Sequence, residues 1–228
     1  APTARYGHAM VYDAARGRVI LVGGRDTQDR DDTWEYDGTS WRLIPTATLD
    51  FGLRYHAMAY DSVRAKIVLF GGRHDSSPMG ETYEFDGVSW SMMTPSEEPS
   101  GRYSHAMAYD PVSMQVLLFG GYGAGRQGDT WVYDRYGEWN EVVPTSSPEA
   151  RSEHAMVFHA ASGRFVVFGG SVLSDTAMDD TWRYDGDWSV GNVLRNNEIV
   201  PLTTASEPSG RAAIAPGDGT SRVPCSVP

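Results

Sequence analysis

Arg5-Tyr6-Gly7-His8-Ala9-Met10-Val11-Tyr12-Asp13 begins a unit that returns three more times along the chain. It comes back at Arg54 to Asp61, one residue shorter, then at Arg102 to Asp110. The last copy runs from Arg151 to His159, with a histidine in place of the closing aspartate. A glycine pair follows each copy: Gly23-Gly24, Gly71-Gly72, Gly120-Gly121 and Gly169-Gly170. Next comes threonine with an aromatic, at Thr33-Trp34, Thr82-Tyr83, Thr130-Trp131 and Thr181-Trp182. A second tryptophan closes each unit at Trp41, Trp90, Trp139 and Trp188, always 49 residues apart. All 7 tryptophans therefore occupy two positions of one repeat, and Tyr83 fills the eighth slot. Self-similarity at such a period is the mark of a repeat architecture.

Within the first unit every local signal is β. His8 to Tyr12 is a short apolar strand stopped by Asp13 and a turn ending at Gly17. Arg18 to Val22 is β-branched and continuously apolar, as in a strand buried on both faces. Thr33 to Asp37 alternates aromatic with polar, and Asp37-Gly38 is a hairpin turn signal. Ser40 to Ile44 makes a fourth strand that Pro45 ends, and no window offers an amphipathic helix.

Composition agrees. The 228 residues include 25 glycines and 13 prolines, the punctuation of a chain with many turns. A net charge of −11 argues against nucleic acid and against anionic membrane surfaces, both of which call for clustered Lys and Arg. Apolar runs such as Ile67 to Phe70 fall far short of a membrane-spanning helix. The one cysteine, Cys225, excludes an internal disulfide framework and a cysteine-rich zinc site.

Four strands joined by short hairpins, repeated every 49 residues, describe the blade of a β-propeller. One blade cannot cover both its faces, so blades stack radially and a closed ring hides the ends. The motif set (Arg-x-x-His, an apolar strand, Gly-Gly, a spaced aromatic with Tyr-Asp, then Trp) resembles the Kelch repeat. The resemblance implies an all-β Kelch-type propeller with four complete four-stranded blades, at about 5–44, 54–93, 102–143 and 151–190. Its tryptophans are then expected to pack between blades. Residues 191–228 break the pattern: Arg211 starts late, Pro216 and Gly217 interrupt it, and neither Gly-Gly nor Thr-Trp follows. Three readings stay open for this irregular tail. It supplies a partial fifth blade, it gives strands that seal a four-bladed ring, or it lies in an open ring completed by a second copy as a homodimer.

Residues repeated in every unit point first to fold-making. His8, His56, His105 and His154 read as a packing position, with a metal-binding ring as the alternative. Arg5, Arg54, Arg102 and Arg151 read as structural, or as a positive collar lining the channel. Asp26, Asp29, Asp31 and Asp32 crowd one loop, and Asp175, Asp179 and Asp180 another; turn duty fits them better than calcium, since no EF-hand spacing is present. No metal or cofactor is expected. Residues that differ between copies are where specificity resides. The resemblance places the loops after the glycine pairs on the binding face, where Arg30, Arg73, His74, Tyr122 and Arg126 are the candidate ligand-binding residues. Planar donors with an aromatic suit carboxylates, acidic peptides or sugar hydroxyls.

No Gly-x-Ser-x-Gly or His-Glu-x-x-His string occurs, and Cys225 lies outside the repeats, away from any crosslink of the galactose-oxidase kind. The expectation is a non-catalytic module binding a protein or glycan partner. A multivalent lectin is the alternative, and an enzyme with a central-channel pocket the third reading. The Tyr36-Asp-Gly-Thr-Ser-Trp41 form of the repeat is similar to secreted bacterial Kelch proteins, which implies an extracellular, bacterial setting. No secretion signal precedes Ala1, as in a mature or a cytosolic chain.

Overall fold

The structure, a computed structural model, describes residues 1–45, 47, 49–172, 176–195 and 198–201. Strands β1 (Ala9–Asp13), β2 (Arg18–Val22), β3 (Thr33–Tyr36) and β4 (Trp41–Leu43) form one antiparallel sheet in sequence order. The second blade holds β5 (Ala57–Asp61), β6 (Lys66–Phe70), β9 (Thr82–Phe85) and β10 (Trp90–Met93). A two-stranded ribbon, β7 (Arg73–His74) with β8 (Ser77–Pro78), stands in its loop. The third is β11 (Ala106–Asp110), β12 (Gln115–Phe119), β13 (Thr130–Tyr133) and β14 (Trp139–Val142). The fourth is β15 (Ala155–His159), β16 (Arg164–Phe168), β17 (Thr181–Tyr184) and β18 (Trp188–Val190). Two further strands, β19 (Asn192–Arg195) and β20 (Glu198–Pro201), pair only with each other. Of the irregular tail expected at 191–228, residues 191–195 and 198–201 are described and hold these two strands, and its remaining residues, on which the three alternatives turn, lie outside the described residues.

Cores lie between blades rather than within them. Strands β2, β6 and β12 carry Val22, Val68, Leu69, Phe70, Leu117, Leu118 and Phe119, all fully buried. Met107 and Trp139 of the third blade pack on Ala59 and Phe70 of the second, and Met156 and Trp188 pack likewise on Ala108 and Phe119. Each closing tryptophan after the first also reaches back one blade. The indole N–H groups of Trp90, Trp139 and Trp188 each donate to the hydroxyl of Thr33, Thr82 and Thr130 respectively, at 2.9 Å in every case. A buried indole N–H needs such a partner, and threonine opening the third strand supplies it.

Three of the repeated histidines, His56, His105 and His154, are buried packing residues at the same junctions, whereas His8 of the first blade is exposed. His105 sits edge-on to Phe70 at 5.5 Å and His154 lies against Phe119 at 5.3 Å. Their Cε1 atoms, and that of His56, abut the first glycine of the pair on the preceding blade. That glycine has no alternative. Gly71 has φ +63°, and a Cβ there would stand 2.5 Å from the Arg102 carbonyl oxygen. Gly71→Ala is expected to lower stability by about 2 kcal/mol or more, from left-handed strain and overpacking together; an unchanged urea midpoint would refute this account of the pair.

Among the described residues the outer faces of the first and fourth blades differ from the inner ones. Met10 is 53% exposed, whereas its counterparts Met58 and Met107 are buried. In the fourth blade Phe168 is 55% exposed, whereas Phe70 and Phe119 are at 0%.

Candidate functional site

Arginine and aspartate tie the start of each unit to its own third strand. Arg102, fully buried, donates through Nη1 and Nη2 to Asp129 at 2.5 and 2.7 Å, and also to the Gly120 carbonyl. Asp129 accepts in addition from the Trp131 indole at 2.8 Å. Burial pushes the Asp129 carboxyl up, but Arg102 and Trp131 outweigh it and hold it below the usual carboxylate range. Arg5 with Asp32 and Trp34, and Arg151 with Asp180 and Trp182, repeat the arrangement. These three arginines are at most 3% exposed at the side chain and hold the blades together.

Arg54 is different. The second copy lacks no residue: the Leu53 carbonyl accepts from Gly24, as the Arg102 and Arg151 carbonyls accept from Gly72 and Gly121. Leu53 thus fills the arginine position and is fully buried. Glu81 and Tyr83 stand where aspartate and tryptophan stand elsewhere, and Tyr83 donates instead to Asp50 at 3.1 Å. With all three partners replaced, Arg54 moves one place along, to the position of Tyr6, Tyr103 and Ser152. Each of these pairs with the residue after a glycine pair: Tyr6 with Arg25, Arg54 with Arg73, Tyr103 with Tyr122 and Ser152 with Ser171.

The next residues, Gly7, Tyr55, Ser104 and Glu153, all have φ between +54° and +68°. They are joined blade to blade by backbone hydrogen bonds. Tyr55 N–H donates to Gly7 O at 2.6 Å, Ser104 to Tyr55 at 2.8 Å, and Glu153 to Ser104 at 2.9 Å. This ladder builds an inner rim on the loop face. Along the rim runs a row of rings: Tyr6 to Tyr55 at 6.2 Å, Tyr55 to Tyr103 at 6.3 Å, Tyr103 to Tyr122 at 5.5 Å. Guanidinium groups lie over three of them, Arg54 on Tyr55, Arg73 on Tyr103 at 5.4 Å, and Arg126 on Tyr122 at 5.8 Å.

The expected binding residues divide accordingly. Arg73 and Tyr122 join the rim row, and Arg126 crosses from the third blade to donate to Ser171 O at 3.0 Å and Oγ at 2.8 Å. His74 is engaged elsewhere, with Nδ1 2.6 Å from the Gly52 carbonyl and its ring against Phe51. Arg30 turns back into its own loop, donating from Nε and Nη2 to Asp26 at 2.9 and 2.6 Å. Three of the four aspartates in the Asp-rich loop are paired with arginine: Asp26 with Arg30, Asp29 with Arg25 and Arg54, Asp32 with Arg5. Burial pushes the Asp29 carboxyl up, but the Asp75 amide, Arg54 and Arg25 together hold it below its ordinary value. In the other Asp-rich loop, Asp175 lies outside the described residues. Among the described residues no three His, Cys, Asp or Glu side chains gather as a metal site.

A cleft of about 190 Å³ opens on this rim between the third and fourth blades, lined by Tyr103, Ser104, Tyr122, Arg126, Glu153 and Ser171, with Ser152. It offers an aromatic face, hydroxyls, one carboxylate and one guanidinium. His105 and His154 are not in the lining, being turned into the blade junctions. Tyr6, Tyr55 and Tyr103 are the rim residues that motif reading passed over, although the Arg-Tyr pairs at 5–6, 54–55 and 102–103 display them.

Comparison with curated proteins found no match. A sequence model of the KLHDC2/KLHL20/DRC7 Kelch-repeats domain does match, over residues 1–142 and again over 55–215. Kelch domains generally serve as protein-interaction modules and are generally non-catalytic. Four antiparallel four-stranded sheets, the conserved geometry of the glycine pairs within this chain, and that match across most of its length lead to one conclusion: the chain belongs to the Kelch-repeat family.

Proposed function

We propose that this chain is a non-catalytic binding module that takes an exposed segment of a protein partner on its loop-face rim. The observation that carries this reading is the inequality of the four rim positions. Tyr6, Arg54, Tyr103 and Ser152 occupy one site of the repeat, and Gly7, Tyr55, Ser104 and Glu153 the next. A multivalent lectin calls for similar pockets in successive blades, whereas a rim that changes at each step suits a single asymmetric ligand. Tyrosine and arginine are the side chains enriched at energetic centres of protein interfaces, because rigid rings contribute large contact area and guanidinium groups pair with carboxylates. The row from Tyr55 to Tyr122, with Arg73 over Tyr103, fits an extended segment bearing a carboxylate and an apolar side chain.

Peptide-display selection against the purified chain tests this. Selected peptides are expected to carry acidic and apolar residues and to bind the Tyr103→Ala variant at least tenfold more weakly. Binding that survives the Tyr55→Ala/Tyr103→Ala double variant, or ligands found only on a glycan array, would overturn the reading.

A further inference from the structure

At the end of the blades away from the rim, the first hairpin of each unit meets the following blade. Asp13, Asp61 and Asp110 end the first strands, and Arg16, Arg64 and Ser113 come three residues later. Between the first and second blades Arg16 fills the junction. It donates to Asp13 Oδ2 at 2.6 Å, to the Ala65 carbonyl at 3.0 Å and to the Asp86 carbonyl, and it packs on Gly87. Between the second and third blades Arg64 does the same work. It donates to Asp61 and to Glu84, each at 2.6 Å, with its guanidinium 5.8 Å from the centre of the Tyr133 ring.

Between the third and fourth blades no arginine arrives from among the described residues. Ser113 takes its place and Val132 the place of Glu84. The junction there contains a cavity of about 380 Å³ whose lining includes Asp110, Ser113, Val132, Gly163, Tyr184 and Asp185. Its volume falls in the range of small-molecule sites. Apart from Glu84, the groups that receive the guanidinium elsewhere are still present. Asp110 matches Asp13 and Asp61, Gly163 matches Ala65, Asp185 matches Asp86, and Tyr184 matches Tyr133. The Asp110 carboxylate accepts from Val112 N–H and Ser113 Oγ, both at 2.8 Å, which leaves acceptor capacity unused. Asp185 is paired with Arg164 at 2.7 Å, and both of those side chains are largely exposed. Val132, Val142 and Phe165 supply an apolar wall.

We propose that this cavity is a receptor for a guanidinium group on a short apolar stem, supplied by a ligand from outside the chain. One carboxylate faces one cation, two backbone carbonyls stand at the positions that accept from Arg16, and the Tyr184 ring offers the face that Arg64 finds on Tyr133. An ammonium on the same stem matches the charge but not the planar fork, so it binds more weakly. The protein's excess negative charge draws a cation toward the site. The cavity lies at the far end of the strands from the rim, so its occupancy is independent of the partner reading.

The experiment follows backbone amide shifts of the full chain, near Gly163 and Gly186, on titration with ethylguanidinium, butylammonium and N-acetyl-arginine-methylamide. Ethylguanidinium is expected to saturate in the millimolar range and butylammonium to bind several-fold more weakly. Saturation by the capped arginine as well points to a protein-borne side chain, and its failure beside ethylguanidinium points to a free guanidino compound. Ser113→Arg, which restores the missing side chain, is expected to abolish the shifts and raise Tm. Asp110→Asn, a near-isosteric change whose fold is checked by its amide spectrum, is expected to weaken binding at least tenfold. Shifts that never saturate, or that persist unchanged in both variants, would overturn the proposal.

Discussion

Arg102→Ala is expected to lower stability by about 3–5 kcal/mol, because it strips the cation from a buried, bidentate pair and leaves Asp129 charged and partly desolvated. For a chain of this size that is a fall in Tm of roughly 10 °C or more. Arg102 also ties the Gly120 and Ser100 carbonyls, so the loss reaches both neighbouring loops. The second blade shows how the position is made apolar without that penalty. Leu53, Glu81 and Tyr83 replace all three partners at once there. A triple variant, Arg102→Leu/Asp129→Glu/Trp131→Tyr, copies that solution and should recover part of the loss of Arg102→Ala. Urea unfolding followed by tryptophan fluorescence measures both. A fall below 1 kcal/mol in the single variant would mean that the pair is not what fastens the blade.

Acid should begin to destabilise the protein before its carboxylates are neutralised. Burial holds His56 down to about 3 and His154 down to about 4, and burial with the nearby Arg102 keeps His105 well below its ordinary value. Above the unfolded value of about 6.5 the three rings are neutral in both states and cost nothing. As pH falls below 6.5 the unfolded chain takes up protons that the folded one refuses. Each ring then removes up to about 1.4 kcal/mol per pH unit, down to its own folded value. Three rings together remove up to about 4 kcal/mol per unit, so roughly 6 kcal/mol is gone by pH 5, the whole of a domain stability at the low end of the usual range of about 5–15 kcal/mol. The salt-bridged aspartates add to the loss only at lower pH, since their folded values are depressed from about 3.8. A urea midpoint that stays level from pH 7 to pH 5 would contradict the burial of these rings.

The period of the chain was readable because tryptophan, glycine pairs and Thr-aromatic pairs each have one place in a blade, and strand bounds followed within a residue or two. The packing role of the repeated histidines followed from the same regularity. Arg54 was harder. Matching Arg-Tyr to Arg-Tyr requires a deletion, whereas backbone pairing keeps the length and puts leucine in the arginine site. Side-chain identity misled there because three residues distant in sequence changed together. Ser113 was silent for a related reason: a serine in a hairpin reads as a solvated turn, and only superposing three junctions reveals the absent guanidinium. Nor does pattern say which loop arginines are already engaged. Arg30 and Arg73 look equivalent as letters, yet one is pinned to Asp26 and the other lies over Tyr103.

The hydrogen-bonded ladder through Gly7, Tyr55, Ser104 and Glu153 has a thermodynamic meaning for whatever the rim receives. Left-handed backbone on three non-glycine residues is unfavourable in isolation, by about 1–3 kcal/mol each. The blades have already met that requirement during folding, and the amides are locked across the junctions. A ligand spanning Tyr55 to Glu153 therefore meets a surface whose main-chain entropy is spent in advance. Association should show little ordering of the receptor, with affinity limited by the flexibility of the incoming segment rather than by that of the propeller.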